Sequence, residues 1–235
     1  MEEYKIIEIK ESIFEDNNKD AECLREELLK DGTFLINLMS SPGAGKTTFL
    51  LSTIELLQEE FRIGIMEADI DSDVDARTIS DKTNAKVIQL HTGGMCHLDA
   101  DMTRQGLHEL DSRNLDLVVL ENVGNLVCPA EFDTGANLKV LILSVPEGDD
   151  KPYKYPLAFE VADVLIINKI DVKEYFDFDF ARAIAEAKRL NPNVKVFPLS
   201  GKTKEGIRSW AEYLAQCIMK YKEKQRDLCQ ECIRK

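Results

Sequence analysis

The sequence predicts an α/β fold, a doubly wound, mostly parallel sheet flanked by helices. Three observations lead there. Apolar runs rich in Val, Ile and Leu recur along the chain, among them "LVVL", "VLILSV" and "VLIIN". They are continuous rather than alternating, which means burial on both faces, as in a parallel sheet covered by helices. Helix-like segments fall between them, the arrangement that joins parallel strands.

Seven strands follow in order, each with a distinctive loop after it. The strand at 34–39 runs into "SSPGAGKTT", and that at 62–67 into the acidic "ADIDSDVDA". The strand at 86–91 precedes "TGGMCHLDA", and that at 115–121 precedes "NVGNLVCPAEF". The strand at 139–145 leads to "PEGDDKPYKYP", that at 164–168 to "KIDV", and that at 194–199 to "SGKT". Helices are expected at 47–60, 76–83, 98–110, 174–190 and 204–223. Residues 1–30 read as a polar helical arm, with helix over 17–30, and 223–235 as a charged helical tail. Residues 31–222 would form the single large domain, which suits a chain of 235 residues.

Composition narrows the function. The formal net charge is −13, so a broad acidic surface argues against nucleic-acid binding, which needs Lys and Arg to neutralise phosphates. No apolar run reaches the roughly 20 residues of a membrane span. The start, "MEEYKIIEIKESIFEDNNKD", is acidic and lacks a signal-peptide core, so a cytoplasmic protein is expected. The six cysteines, Cys23, Cys96, Cys128, Cys217, Cys229 and Cys232, are then thiols rather than a disulfide framework.

"SSPGAGKTT" approximates G-x-x-x-x-G-K-[ST] between a strand and a helix, the phosphate-binding loop of P-loop NTPases. Gly43, Ala44, Gly45, Lys46, Thr47 and Thr48 form its core; Ser40 stands where the first glycine is usual. Successive backbone N–H groups wrap a phosphate at the helix N-terminus. Lys46 adds charge for the β- and γ-phosphates, and the Thr47 hydroxyl can bind Mg²⁺.

"NKID" at the end of the sixth strand resembles the guanine-recognition motif of GTPases, which would set the base preference. A carboxylate at Asp171 accepts from the ring N–H and exocyclic amine of guanine, a donor pair that adenine lacks. The Lys169 stem lies along the base, and Asn168 ties the nucleotide loops together. A site built on such bonds rejects the wrong base strongly. "SGKT" after the last strand resembles a second guanine-contacting loop, with Ser200, Gly201 and Lys202.

Acidic residues cluster after the second and fourth strands: Glu67, Asp69, Asp71, Asp73, Asp75 and Glu121. Mg²⁺ uses few protein carboxylates, so one or two of these would matter. The pattern alone leaves open which ones, and the others would be solvated or capping residues. No Gln here stands out as orienting water, which implies slow, switch-type hydrolysis.

Cys96, His97 and Cys128 follow two different strands yet leave the same sheet edge. Thiolate and imidazole suit Zn²⁺ and Ni²⁺. Three donors from one chain leave a closed site incomplete, so a second subunit, water or an exchangeable partner completes it. Composition alone favours unrelated residues here, two buried cysteines and a surface histidine.

The phrases "SSPGAGKTT", "LHTGGMCHLDA", "LENVGNLVCPAEFDTG", "SVPEGDDKPYKYP" and "INKID" together resemble the hydrogenase nickel-incorporation GTPases, the HypB family of the SIMIBI class. That resemblance implies a GTP-hydrolysing metallochaperone using GTP/GDP and Mg²⁺. It implies Ni²⁺ or Zn²⁺ on Cys96, His97 and Cys128 at a dimer interface, and a homodimer in the GTP state. It implies delivery of nickel to the hydrogenase large-subunit precursor, in company with a second nickel chaperone. It places Asp69, Asp75 and Glu121 at nucleotide-sensing or Mg²⁺-linked positions, which makes Thr47, Asp69 and Glu121 the candidates for Mg²⁺ and Lys46, Asp69 and Asp75 the catalytic candidates. It gives Lys151 or Lys154 a role at the partner chain's nucleotide. The N-terminal cysteine motif or His-rich stretch with which some family members begin is not found in this sequence; instead the tail carries Cys229 and Cys232 on one helical face, able to chelate a metal or form a redox pair. Two other readings stand beside this one. A urease-type nickel-insertion GTPase changes the client, and a P-loop small-molecule kinase would prefer adenine and transfer phosphate to an acceptor.

Overall fold

The computed structural model describes residues 9–69 and 73–233, with side chains described for 14–69 and 73–230. Among the described residues seven strands form one sheet: β1 (Phe34–Ser40), β2 (Ile63–Asp69), β3 (Lys86–His91), β4 (Leu117–Glu121), β5 (Leu138–Ser144), β6 (Val164–Asn168) and β7 (Lys195–Pro198). Their order is β3-β2-β4-β1-β5-β6-β7, and every neighbouring pair is parallel. All seven expected strands are present, displaced by two residues or fewer at most ends.

The helices are α1 (Ile9–Asp31), α2 (Lys46–Leu57), α3 (Val74–Lys82), α4 (Ala100–Glu109), α5 (Cys128–Glu131), α6 (Lys151–Lys154), α7 (Pro156–Val161), α8 (Phe180–Leu190) and α9 (Ile207–Ile233). They cover both faces. On β1, Phe34, Ile36 and Leu38 pack with Phe49 and Ile54 of α2 and Trp210 and Leu214 of α9. Leu35 points the other way, against Leu24 and Leu28 of α1 and Leu107 of α4. This period of two, apolar on both faces, explains the continuous hydrophobic runs. Trp210 lies in the first layer with its indole N–H donated to Thr53 Oγ1 at 3.2 Å, so its burial leaves no polar atom wanting.

Side chains set several helix ends away from their expected places. The helix expected over 174–190 begins only at Phe180, because the Asp179 carboxylate accepts from Arg182 N and caps it. Residues Ile170–Tyr175 form a 3₁₀ turn instead. Asp99 caps α4 by accepting from Met102 N at 2.8 Å, so that helix starts at Ala100 rather than 98. The short helices α5, α6 and α7 were not expected; each carries Pro in its first turn and is too brief to show periodicity.

The charged C-terminal segment continues α9 without a break, so position 222/223 lies inside a helix. Tyr221 meets Phe34 edge-on at 5.3 Å, and Gln225 Nε2 donates to Lys30 O at 3.0 Å. Lys222 pairs with Asp116, which also accepts from Arg62 Nη2 at 3.0 Å. Burial opposes ionisation of Asp116, but the hydrogen bonds from Arg62 and Lys222 outweigh it and hold this carboxyl well below its ordinary range. Asp116→Asn is expected to lower stability by about 2 kcal/mol at neutral pH, as loss of charge-assisted bonds. A depressed carboxylate contributes fully above its unfolded pKa, so the difference from the parent should shrink as pH falls below about 4. Urea unfolding of both proteins across that range checks it. No helix among the described residues is long and apolar enough to cross a membrane.

Candidate functional site

Because the strands are parallel, the loops after β1, β2, β3, β4, β6 and β7 leave one edge of the sheet. The phosphate-binding candidates come first. Gly43 and Gly45 have φ of 74° and 94°, backbone that L side chains rarely adopt. Gly45 sits at the N-cap of α2 and offers no side-chain acceptor to its first turn, which leaves the helix start open to an anion. A Cβ at Gly45 would come within 2.8 Å of Asn168 Nδ2. Lys46 Nζ donates to Ser40 Oγ at 3.2 Å and lies 3.8 Å from Glu121 Oε1. Ser40 is wholly buried, so the residue that replaces the usual glycine holds the lysine in place. Thr47 is half-buried and Thr48 exposed on the first turn of α2.

Asn168 joins three loops. Its Nδ2 donates to Ala44 O at 2.9 Å, and its Oδ1 accepts from Lys169 N at 2.8 Å and Gly201 N at 3.1 Å. Lys169 adopts φ 62° and donates from Nζ to Gly43 O at 2.7 Å. Ser200 Oγ accepts from Thr203 N at 3.1 Å, and Gly201 O accepts from Ser52 Oγ at 2.7 Å, which fixes the last loop. The resulting cavity of about 220 Å³ is lined by Gly45, Thr48, Asn168, Lys169, Asp171, Gly201 and Lys202 among others. Asp171 Oδ1 lies buried without a hydrogen-bond partner. An orphaned carboxylate oxygen lining this pocket fits a base that presents N–H donors.

Beneath the phosphate loop lies a carboxyl cluster. Glu67, Asp75 and Glu121 bring oxygens within 4.8 Å of one another, and Glu67 pairs in register with Glu121 across β2 and β4. Asp69 lies two positions along the same face of β2, about 6.6 Å further on, and outside that group. Its backbone O accepts from Thr92 N at 3.3 Å. Asp71 lies outside the described residues. Burial, then the neighbouring Glu121, push Glu67 up to about 11. Burial also raises Glu121, with the Lys46 ammonium opposing it. Glu67 Oε2 and Glu121 Oε2 have no hydrogen-bond partner. A divalent cation would satisfy both, so the donor set fits Mg²⁺.

The soft donors also converge. Cys96, His97 and Cys128 place ligand atoms within 4.8 Å of one another. The Cys96 and Cys128 sulfurs are 2.7 Å apart, and Cys96 Sγ is 3.8 Å from His97 Nδ1. Its hydrogen bond to Cys128, then burial, raise the Cys96 thiol. Burial lowers His97, which favours the neutral, ligating imidazole. The Phe132 ring stacks on His97 at 3.8 Å and 15°. Cys128 opens α5, and Cys96 directly follows the turn closed by Thr92 Oγ1 donating to Met95 O at 2.7 Å. Cys229 is exposed on α9, and the Cys232 side chain lies outside the described residues. Lys151 folds back toward Glu147 at 3.8 Å and over Tyr155, whereas Lys154 is exposed and paired with Asp150 at 2.5 Å.

Sequence reasoning missed Phe132 and the part Ser40 plays under Lys46, and it named Glu67 among the acids without singling it out. The register of β2 on β4 is what brings Glu67 in.

Comparison with known proteins agrees with this geometry. Residues 34–198 match the CobW/HypB/UreG nucleotide-binding domain. The chain is 42% identical over 210 residues to the hydrogenase maturation factor HypB of Azotobacter chroococcum mcd 1, covering 89% of this chain and 68% of that protein. It is 40% identical over 216 residues to the hydrogenase/urease maturation factor HypB of Helicobacter hepaticus, covering 90% of this chain and 88% of that protein. The crystal structure of HypB from Helicobacter pylori in complex with nickel superposes with a TM-score of 0.82 at 34% identity, covering 87% of this chain and 96% of the other. Phosphate cradle, all-parallel sheet and sequence match agree: the chain belongs to the HypB hydrogenase maturation factors, within the CobW/HypB/UreG family of P-loop GTPases.

Proposed function

We propose that this GTPase carries nickel on Cys96, His97 and Cys128 and delivers it to the hydrogenase large-subunit precursor, with a second nickel chaperone as partner. The convergence of three soft donors at the sheet edge that also holds the phosphate loop is the observation that supports it. Zn²⁺ suits the same donors. Three protein ligands leave coordination open, which suits cargo that must leave, and a site shared between two chains in the GTP state. Mg²⁺, when bound, would neutralise charge on the β- and γ-phosphates; Thr47, Glu67, Asp75 and Glu121 are the residues to hold it, with Asp69 outside their group.

Nucleotide and metal loops touch, which supports coupling between them. The segment that leads from Glu121 to Cys128 passes against the phosphate loop: a Cβ on Gly124 would lie 3.2 Å from Pro42. The turn that carries Cys96 hangs from Asp69 O through Thr92 N. A γ-phosphate that orders these segments would move both thiols. By linkage, nickel must then shift nucleotide affinity by the same factor that nucleotide shifts nickel affinity.

Size-exclusion chromatography with metal analysis, run with GDP and with a non-hydrolysable GTP analogue, tests this reading. A dimer and altered nickel content are expected in the triphosphate state. Cys128→Ala should weaken nickel binding by at least about tenfold, since it removes one of few ligands, and leave GDP affinity nearly unchanged. Nickel titration that matched the parent would overturn the site. The Helicobacter hepaticus relative, named for both hydrogenase and urease, makes urease a second client to test.

A further inference from the structure

The strands that lead into the two metal loops do not pair directly with each other. Cys96 and His97 follow β3 and Cys128 follows β4, but β2 lies between those strands. No ladder therefore sets the distance from one loop to the other. Helix α1 does. Asn17 is buried, 8% exposed, in a helix otherwise rich in charge. Its Oδ1 accepts from Ala100 N at 3.0 Å, where the chain leaves His97 to begin α4. Its Nδ2 donates to Asp133 O at 3.0 Å, just past α5 and Phe132. One planar amide thus spans both loops.

Neighbouring contacts run the same way. Arg25 donates from Nε to Ala136 O at 3.2 Å and pairs through Nη2 with the Asp133 carboxylate. Phe14 packs on Phe132 with ring centroids 4.9 Å apart, and Phe132 in turn stacks on His97. A Cβ at Gly135 would strike Leu24 of α1 at 2.7 Å, so the loop after α5 lies tight against the helix.

We propose that Asn17 is a positioning residue of the thiolate–imidazole site, and that α1 is a clasp that sets the spacing of the Cys96–His97 loop against the Cys128 loop. This rests on those three residues being nickel ligands. The demand is geometric: bonds to a metal tolerate errors of only tenths of an ångström, while two irregular loops joined by no backbone ladder drift by more. The bridging residue needs one acceptor and one donor on a short, flat side chain. Asn supplies both; Asp has two acceptors and would set an oxygen against Asp133 O.

The test uses the full chain loaded with GDP and titrated with Ni²⁺ against a competing chelator. Thiolate-to-nickel charge-transfer absorption reports the ligand set, and GDP affinity and melting are measured alongside. Asn17→Ala should weaken nickel binding by about tenfold, as loss of an outer support does, and alter the absorption band. Asn17→Asp should move both readings the same way and carries the test if the alanine variant does not fold. GDP affinity should stay close to the parent's in both. If both variants bind nickel like the parent while Cys128→Ala does not, the clasp is wrong and the site stands. If Cys128→Ala itself keeps the parent's affinity and band, the ligand assignment fails and the clasp with it. An equal fall in nickel and GDP affinity would mark Asn17 as general scaffold and overturn the proposal.

Discussion

Asp171→Asn should lower GDP and GTP affinity by about two to four orders of magnitude. The carboxylate faces the pocket with its Oδ1 buried and unpartnered, at the end of the loop that Asn168 anchors. Two charge-assisted bonds to guanine at roughly 1.5–3 kcal/mol each sum to about 3–6 kcal/mol, and every 1.4 kcal/mol is tenfold. The amide that replaces it still accepts one bond but turns its NH₂ toward a donor on the base. Xanthine has a carbonyl there, so the variant should gain affinity for xanthosine diphosphate as it loses GDP. Titration with fluorescent analogues of both nucleotides checks this. A variant that kept the parent's preference would remove Asp171 from base recognition.

Lys46→Ala should reduce single-turnover GTP hydrolysis by about 10²–10³-fold, the usual cost of deleting one preorganised charge from a developing anion. In this chain the lysine has a further task. Glu121 is 1% exposed and has Lys46 as its cation at 3.8 Å, with Glu67 raised beside it. Removing the ammonium leaves three carboxyl groups together with no counter-charge, and Glu121 should then take up a proton. The loss should therefore be deeper than the missing phosphate contact alone explains, and Lys46→Arg should recover nucleotide binding better than hydrolysis. A rate within threefold of the parent would sink this assignment.

How far the sequence shows this site depends on how local the chemistry is. "SSPGAGKTT" and "NKID" compress phosphate and base recognition into a few consecutive residues, so both could be read directly. The strands were equally legible, because a sheet covered on both faces needs unbroken apolar runs. The carboxyl cluster was only half legible. Glu67 stood in a run of acids with Asp69, Asp73 and Asp75, and only the register against Glu121 separates it from them. The clasp was invisible. Residues 17–30 look like a polar arm, yet Leu24 and Leu28 are 1% and 3% exposed against the sheet. Asn17, Ala100 and Asp133 meet through tertiary packing that no local pattern encodes. The start of α8 was misplaced for a simpler reason: the Asp179 cap outweighed the helical pattern of the residues before it.

Asn168 spends every side-chain atom that can bond on loops that surround the nucleotide. Cradle and base reader are thereby riveted into one unit that cannot flex piece by piece. If hydrolysis moves the loops, the movement falls on the opposite flank, where β2, β3 and β4 end and Cys96 and Cys128 follow. The guanine side would then serve as the anvil, and the side that carries the thiols would be the part that yields.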